Sequence, residues 1–454
     1  MCQLSKELME GNSNDILWIY VESITPRVAY AFILLFDSVF PLPYRLTTDR
    51  AEWENYDGPR LNYSSTIIEK KGLWLAAGTL LFEGGIRPQA IVINKQEGLP
   101  FFFQQPATEA DLPFDLPAMA FYLASRYEEY LPYTPDVHGR FPASQSLAKR
   151  TGFLRLPLIN LWTKRLVEKL ITNFPTWQIV RPEFQFLPTF DIDLAWAFLH
   201  RPWWIQMGGM GKACLQGRWD DLIKRGQTLL GNRVDPFFSF PLLKKLHPPN
   251  EDNAPLFFFL LGDYGPYDKS IRHTNPVFRS LLTSLAESYE VGIHLSYRSN
   301  RQPEQIPVEI NRLSAIAKRP IFRNRQHFLK LHLPNTYHQL LTNNIREDYS
   351  MGYADDIGFR ASLANPFPWY DLKKEVCTDL IVYPFQVMDV TLKNYLHSTP
   401  ASVWRPIWEM VEHTKKTGGQ FCTLWHNSSF GDLDGWEAWT PFYKRFIREI
   451  KALN

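Results

Sequence analysis

From residue 184 onward, short apolar runs recur, and nearly every one ends in a side chain able to do chemistry. Residues 184–190 lead into Asp191 and Asp193, 255–262 into Asp263, and 289–293 into His294. Residues 320–322 lead through Arg323 and Arg325 to His327, and 356–359 end in Arg360. Residues 380–385 lead to Asp389, and 420–424 pass through Trp425 to His426. Segments able to hold a helix separate most of these runs: 275–288, 307–318, 335–343, 390–395 and 403–416. Strand and helix alternating seven times is the signature of a parallel sheet. Polar groups gathered at the C-terminal ends of all strands are what a barrel of (β/α) units provides. The pattern therefore predicts an α/β fold: a distorted seven-stranded (β/α) barrel over residues 181–454, preceded by a smaller mixed α/β domain over residues 1–180. The insert at 199–254 has too few periodic apolar positions to add a strand, and reads as a lid or a packing arm.

The first region supports that division. Residues 27–40 read as a buried helix that Pro41 ends, because proline lacks an amide donor and clashes with the preceding turn. Between residues 44 and 103, runs such as 65–68 and 90–93 suit strands separated by turns. Residues 118–130 read as a helix, and Ile159, Trp162, Leu166 and Leu170 mark one amphipathic helix after Pro157, closed at Asn173-Phe174-Pro175. The charged and aromatic stretches Arg126-Tyr127-Glu128-Glu129-Tyr130 and Asp136-Val137-His138-Gly139-Arg140 form either a binding surface or a network holding the two domains together.

Composition narrows the function classes. A chain of 454 residues exceeds one ordinary core, and 45% hydrophobic residues are ample for burial. A net charge of +2 demands neither nucleic acid nor an anionic membrane as partner. The four cysteines are scattered, which suits a reducing compartment and argues against a thiolate zinc site. Residues 1–14 are polar and unlike a signal peptide, and the apolar run 28–36 is too short to span a bilayer. The expectation is a cytoplasmic protein without a transmembrane segment.

Asp191 and Asp193 stand two apart, so on a strand they point to the same face. Alone, such a pair is as well explained by one acid capping the next helix and one solvated acid. Asp193, His294 and His327, from three strand ends, together make a favoured set for a divalent transition metal that leaves a position for water. Asp191 can then serve as base, kept ionised by the cation and by a partner such as Arg360, while His426 protonates a departing nitrogen. The chemistry this permits is metal-assisted hydrolysis of an amide. Each residue also has a structural reading: a lone histidine is often a core group, Arg360 could merely bridge strands, and Asp263 and Asp268 could shape a turn.

Thr189-Phe190-Asp191-Ile192-Asp193 resembles the first motif of the polysaccharide deacetylase group (NodB homology, carbohydrate esterase family four), in its variant with a residue between the acids. Gly292-Ile293-His294-Leu295-Ser296 resembles that group's metal-histidine motif, Gly358-Phe359-Arg360-Ala361-Ser362 its arginine motif, and Leu424-Trp425-His426-Asn427 its closing histidine motif, in matching order. The resemblance implies removal of an acyl group from an N-acylated carbohydrate by a divalent metal, zinc first, with nickel or cobalt as alternatives. By position it makes Asp191 the base, Asp193 and His294 ligands, Arg360 the residue orienting the base, and His426 the acid. One departure stands out. Where the group's motif has a second histidine, four residues after the first, this chain has Arg298, which stays protonated and cannot ligate. His327 is the expected replacement. The region before residue 181 resembles a domain that precedes such barrels in a bacterial subgroup. Two other functions fit the composition: a non-catalytic saccharide- or nucleotide-sugar-binding protein, and an assembly protein of a cytoplasmic glycan pathway.

Overall fold

The computed structural model describes residues 16–68, 72–251 and 253–453. Cys2 and the polar character read for residues 1–14 lie outside the described residues. Near the start, β1 (Leu17–Val21) leads into α1 (Pro26–Ile33), whose cap is Thr25: its hydroxyl accepts the Val28 amide at 3.0 Å. Leu34–Val39 continues α1 as a π-helix, so one buried helical stretch runs up to the break before Pro41. β2 (Tyr44–Thr47), β3 (Arg60–Ser64) and β4 (Leu73–Ala76) join β1 in a parallel sheet of order β2-β1-β3-β4. The runs at 65–68 and 90–93 are not strands. β3 stops at Ser64 and β4 begins only at Leu73, and after Ala76 strand pairing resumes in the hairpin of β5 (Asn94–Gln96) and β6 (Leu99–Phe101).

α2 (Leu116–Ala124) is apolar on every side and buried along its whole length. It is shorter than the expected helix at 118–130, because Arg126 adopts a left-handed backbone with φ of 56° and Tyr127–Tyr130 follows as a 3-10 turn. α3 (Leu158–Asn173) matches the amphipathic pattern, with Ile159, Trp162, Leu166 and Leu170 buried.

The second sheet begins with β7 (Gln185–Ile192). The insert that follows contains α4 (Trp203–Leu215), α5 (Trp219–Leu229) and a short helix at Phe240–Leu246, with no strand among its described residues. Then come β8 (Leu256–Leu260), α6 (Pro276–Ser288), β9 (Glu290–Leu295), α7 (Gln305–Ala317), β10 (Arg323–Gln326) and α8 (Asn335–Thr342). The chain continues with β11 (Glu347–Asp348), β12 (Phe367–Asp371), β13 (Val376–Val382), β14 (Val387–Met388), α9 (Pro400–Thr417), β15 (Gln420–His426) and α10 (Trp439–Lys451).

These strands form one nine-stranded sheet of order β12-β13-β11-β10-β9-β8-β7-β15-β14. All neighbouring pairs are parallel except β12 with β13. The expected seven-stranded barrel is not what the pairing forms. Among the described residues no ladder joins β12 to β14, and the count is nine because β11, β12 and β14 are additional short members. No strand forms at 356–359, so Arg360 follows a loop and not a strand end.

The first region and the large sheet share one continuous apolar core. Polar contacts cross between them as well. Arg360 donates to both carboxylate oxygens of Glu129 from Nε and Nη2 at 2.9 and 2.7 Å, Arg126 reaches the Tyr353 hydroxyl at 3.0 Å, and Arg27 pairs with Glu375. The Asp136–Arg140 loop joins in, since Arg140 donates to the Phe328 carbonyl at 2.8 Å. The charged stretches singled out in the sequence thus include a buried network between the two parts of the chain.

Candidate metal centre

Parallel pairing brings the C-terminal ends of β7, β9, β10 and β15 to one side of the sheet. β7 carries Asp191 with Asp193 just past its end, β9 carries His294, β10 runs into His327, and β15 ends in His426. Asp193, His294 and His327 offer ligand atoms all within 4.8 Å of one another. His294 Nε2 stands 3.2 Å from Asp193 Oδ1, and His327 Nε2 stands 3.6 Å from Asp193 Oδ2. His426 Nε2 is 3.9 Å from Asp193 Oδ2, and Asp191 Oδ2 is 3.6 Å from His294 Nε2.

The three imidazoles are oriented alike. His294 Nδ1 lies 2.9 Å from the Arg325 carbonyl, which can only accept, so Nδ1 carries a proton and Nε2 is turned towards Asp193. His327 Nδ1 is held by Asp268 at 2.8 Å, and His426 Nδ1 by Asp389 at 2.8 Å. A second partner that fixes the ring while leaving the other nitrogen free is the usual support of a metal-ligating histidine. Asp268 is itself fixed by the amides of Tyr297 at 2.8 Å and Arg298 at 3.2 Å. Asp389 accepts the His426 amide at 2.7 Å.

The donor set fits a divalent cation on a further observation. Asp193 Oδ1 is sealed from solvent and makes no hydrogen bond, although His294 Nε2 is 3.2 Å away. A buried carboxylate oxygen this close to an imidazole nitrogen makes a pair of donor atoms that a shared divalent cation would satisfy. Charge in the cluster is arranged accordingly. Burial would raise the Asp193 carboxyl, but His327, with His294 and His426, holds it well below the usual carboxylate range. Burial would lower His327, yet Asp193 and Asp268 push it up to about 9. His426 is likewise lowered by burial and carried up to about 10 by Asp389 and Asp193. A ligand must be unprotonated, so an ion taken up at neutral pH displaces the proton of His327.

Of the expected site residues, Asp191, Asp193, His294, His327 and His426 are brought together, and Arg360 is not. The guanidinium against Asp191 belongs to Arg325, whose Nη1 bonds Asp191 Oδ1 at 2.8 Å and Thr189 Oγ1 at 2.7 Å. Arg325 is fully buried, with Nε on the Tyr349 carbonyl at 2.9 Å and its plane 4.5 Å from the Phe258 ring centroid. Arg325 lies on β10, and His327 opens the 3-10 turn that follows it. Arg298 turns its side chain outward to Gln302 and contributes only its backbone amide. Arg140, from the first region, lines the same pocket, a cavity of about 150 Å³ that also has Phe328, Leu329 and Tyr395 in its walls. Nothing in the spacing of the sequence placed Arg140 there, because the contact is set by packing between distant parts of the chain.

Fold and site together define a mixed α/β protein with a carboxylate and imidazole cluster at the C-terminal ends of parallel strands. Residues 17–175 match a family described only as of unknown function, DUF7033. No curated protein matches the chain. Among solved structures, a protein from Mycobacterium smegmatis assigned as a polysaccharide deacetylase is similar at 13% identity and a TM-score of 0.39, over 60% of this chain and 85% of that one. The carbohydrate deacetylase Agd3 is similar at 9% identity and a TM-score of 0.35, over 95% of this chain and 84% of that one. A 4-alpha-glucanotransferase from Thermococcus litoralis is similar at 14% identity and 0.34, over 60% of this chain and 38% of that one.

Proposed function

We propose that this chain is a metal-dependent hydrolase that removes an acyl group from an N-acylated sugar, with the site at residues beyond about 180 and the earlier region closing one wall. The observation that carries this reading is the common orientation of His294, His327 and His426, each held at Nδ1 and aimed through Nε2 at Asp193. The sugar substrate is supported by the motif resemblance around Asp191, His294 and His426.

Asp193, His294 and His327 would hold the ion. When bound, it supplies the positive charge that lowers the pKa of a water and polarises an amide carbonyl. Asp191 Oδ2, the oxygen that Arg325 leaves free, receives the proton of the attacking water. Arg325 pins Asp191 Oδ1 and so fixes the direction of Oδ2. The hydroxyl adds to the carbonyl carbon, the carbon–nitrogen bond breaks, and the nitrogen leaves with the proton that His426 carries. Asp389 keeps His426 protonated and turned towards the pocket. At about 150 Å³ the cavity is smaller than pockets that enclose a drug-sized ligand, so it takes the acyl arm and leaves the sugar ring at the mouth.

The test is to strip the purified chain, reload it with zinc, nickel or cobalt, and count bound ion by elemental analysis while following acetate release from N-acetylated oligosaccharides. One ion per chain and stoichiometric acetate and free amine are expected. A chain that holds no ion, or one that is loaded and releases no acid from any N-acyl sugar, rules the reading out.

A further inference from the structure

The two histidines that would hold the ion are supported differently. His294 sits inside β9, paired with Leu260 of β8 on one side and Arg325 of β10 on the other, so the sheet itself fixes its backbone. His327 lies one residue beyond the last register pair of β9 with β10, Leu295 with Gln326, and opens a 3-10 turn. That turn is strained. Phe328 and Leu329, at φ of 59° and 52°, are consecutive left-handed residues, and neither is glycine. Residues with a Cβ avoid this region, and such a conformation persists only where the surroundings over-determine it. From the sheet side, Leu329 is buried in one cluster with Ala354, Phe385 and Met388.

From the other side the turn is gripped by the first region. Arg140 Nη1 donates to the Phe328 carbonyl at 2.8 Å, and the His138 ring lies 4.9 Å from the Phe328 ring, centroid to centroid. The grip is itself fixed. Asp136 Oδ1 accepts the amides of His138 and Arg140, both at 2.9 Å, while its Oδ2 takes Arg140 Nε at 2.7 Å. Arg140 Nη2 reaches the Tyr395 hydroxyl at 3.1 Å, so the buried guanidinium joins three separate parts of the chain. We propose that Arg140, anchored by Asp136, is a positioning residue for the metal centre: by holding the Phe328 carbonyl it keeps the strained turn in place, and with it the His327 imidazole beside Asp193 and His294. The proposal rests on the metal reading given above. It makes the first region part of the ion site, and explains how a ligand beyond a strand end can serve where Arg298 cannot ligate.

The full chain, stripped of metal, is titrated with zinc against a chromophoric chelator, and its cobalt-loaded form is read by visible absorption. The parent is expected to bind one ion. Arg140→Met is expected to bind zinc about 10–100-fold more weakly, the range for removing a group that orients a ligand, and to shift the cobalt bands. Arg140→Lys, which keeps a cationic donor, recovers part of that loss. Asp136→Asn retains an oxygen for the two amides but gives up the ion pair. It weakens zinc in the same direction by less, and carries the test where Arg140→Met fails to fold. Glu375→Gln is the control: it weakens the pair with Arg27, another contact between the two parts of the chain, and leaves zinc affinity and the cobalt spectrum as in the parent. Equal weakening in Glu375→Gln and Arg140→Met would mean a general loosening of the joint and overturns the proposal. Equal zinc affinity in the parent, Asp136→Asn and the folded Arg140 variants also overturns it, even where KM rises, and leaves the metal reading standing. A parent that binds no ion overturns the metal reading and the proposal with it.

Discussion

Asp191, on β7, and Asp193, just past its end, have surroundings that give them different work. Asp193 keeps an unpartnered buried oxygen among imidazole nitrogens, while Asp191 has one oxygen tied to Arg325 and one free. Asp191→Asn is therefore expected to leave one ion bound per chain and to lower kcat by about a hundredfold to ten-thousandfold, the range for loss of a general base. Asp193→Ala is expected to empty the site in the same elemental measurement. Equal loss of ion in both variants would mean that Asp191 is a ligand. The identity of the acids and histidines was legible from the sequence, because a parallel sheet delivers every strand end to one side. The arginine was not. Arg325 and Arg360 both follow apolar runs, and only the formation of β10, with no strand at 356–359, decides which guanidinium reaches Asp191. The helpers Asp268 and Asp389 were visible as residues, but their role depends on which ring they face.

At the level of elements, the helix at Phe240–Leu246 ends in His247, which is buried between Phe190 of β7 and Tyr443 of α10 and has Nε2 2.9 Å from the Tyr443 hydroxyl. Burial, with a smaller push from Lys451, lowers this imidazole to about 3. The folded chain thus keeps His247 neutral while the unfolded chain takes up a proton below about 6.5. Its contribution to stability is complete above that value and is lost as pH falls towards 3, about 1.4 kcal/mol per pH unit. Urea unfolding at pH 7.5 and pH 5 is expected to differ by about 2 kcal/mol more in the parent than in His247→Gln. Identical differences in the two proteins would show that His247 does not couple this packing to acid. Helices such as α3 and α6 were legible because a 3.6-residue period is local. β11 and β14 were not, since strands of two residues have no period to read and exist only through their neighbours. Which strands form the edges of the sheet was illegible for the same reason: it depends on which neighbours pair.

Across the whole molecule, the first region is fastened to the large sheet by groups that a sequence motif would assign to catalysis. Arg360 and Glu129 are each about 2% exposed at the side chain and share two hydrogen bonds, with Arg126 on the other side of Glu129. Burial alone would drive the Glu129 carboxyl up, and Arg360 and Arg126 together hold it below its usual value. Removing one partner of such a pair leaves a charge buried with incomplete compensation, which costs about 3–5 kcal/mol. Arg360→Met is therefore expected to lower the unfolding free energy by about that amount while the folded fraction keeps one bound ion and kcat within a few-fold of the parent. The double variant Glu129→Gln, Arg360→Met should recover part of the loss, because the unpaired carboxylate is gone. A different result is diagnostic: unchanged stability with kcat down a hundredfold would return Arg360 to the pocket as the partner of Asp191. The geometry puts it with Glu129, and so makes the joint between the two parts of the chain, not the chemistry, the place where this substitution is felt.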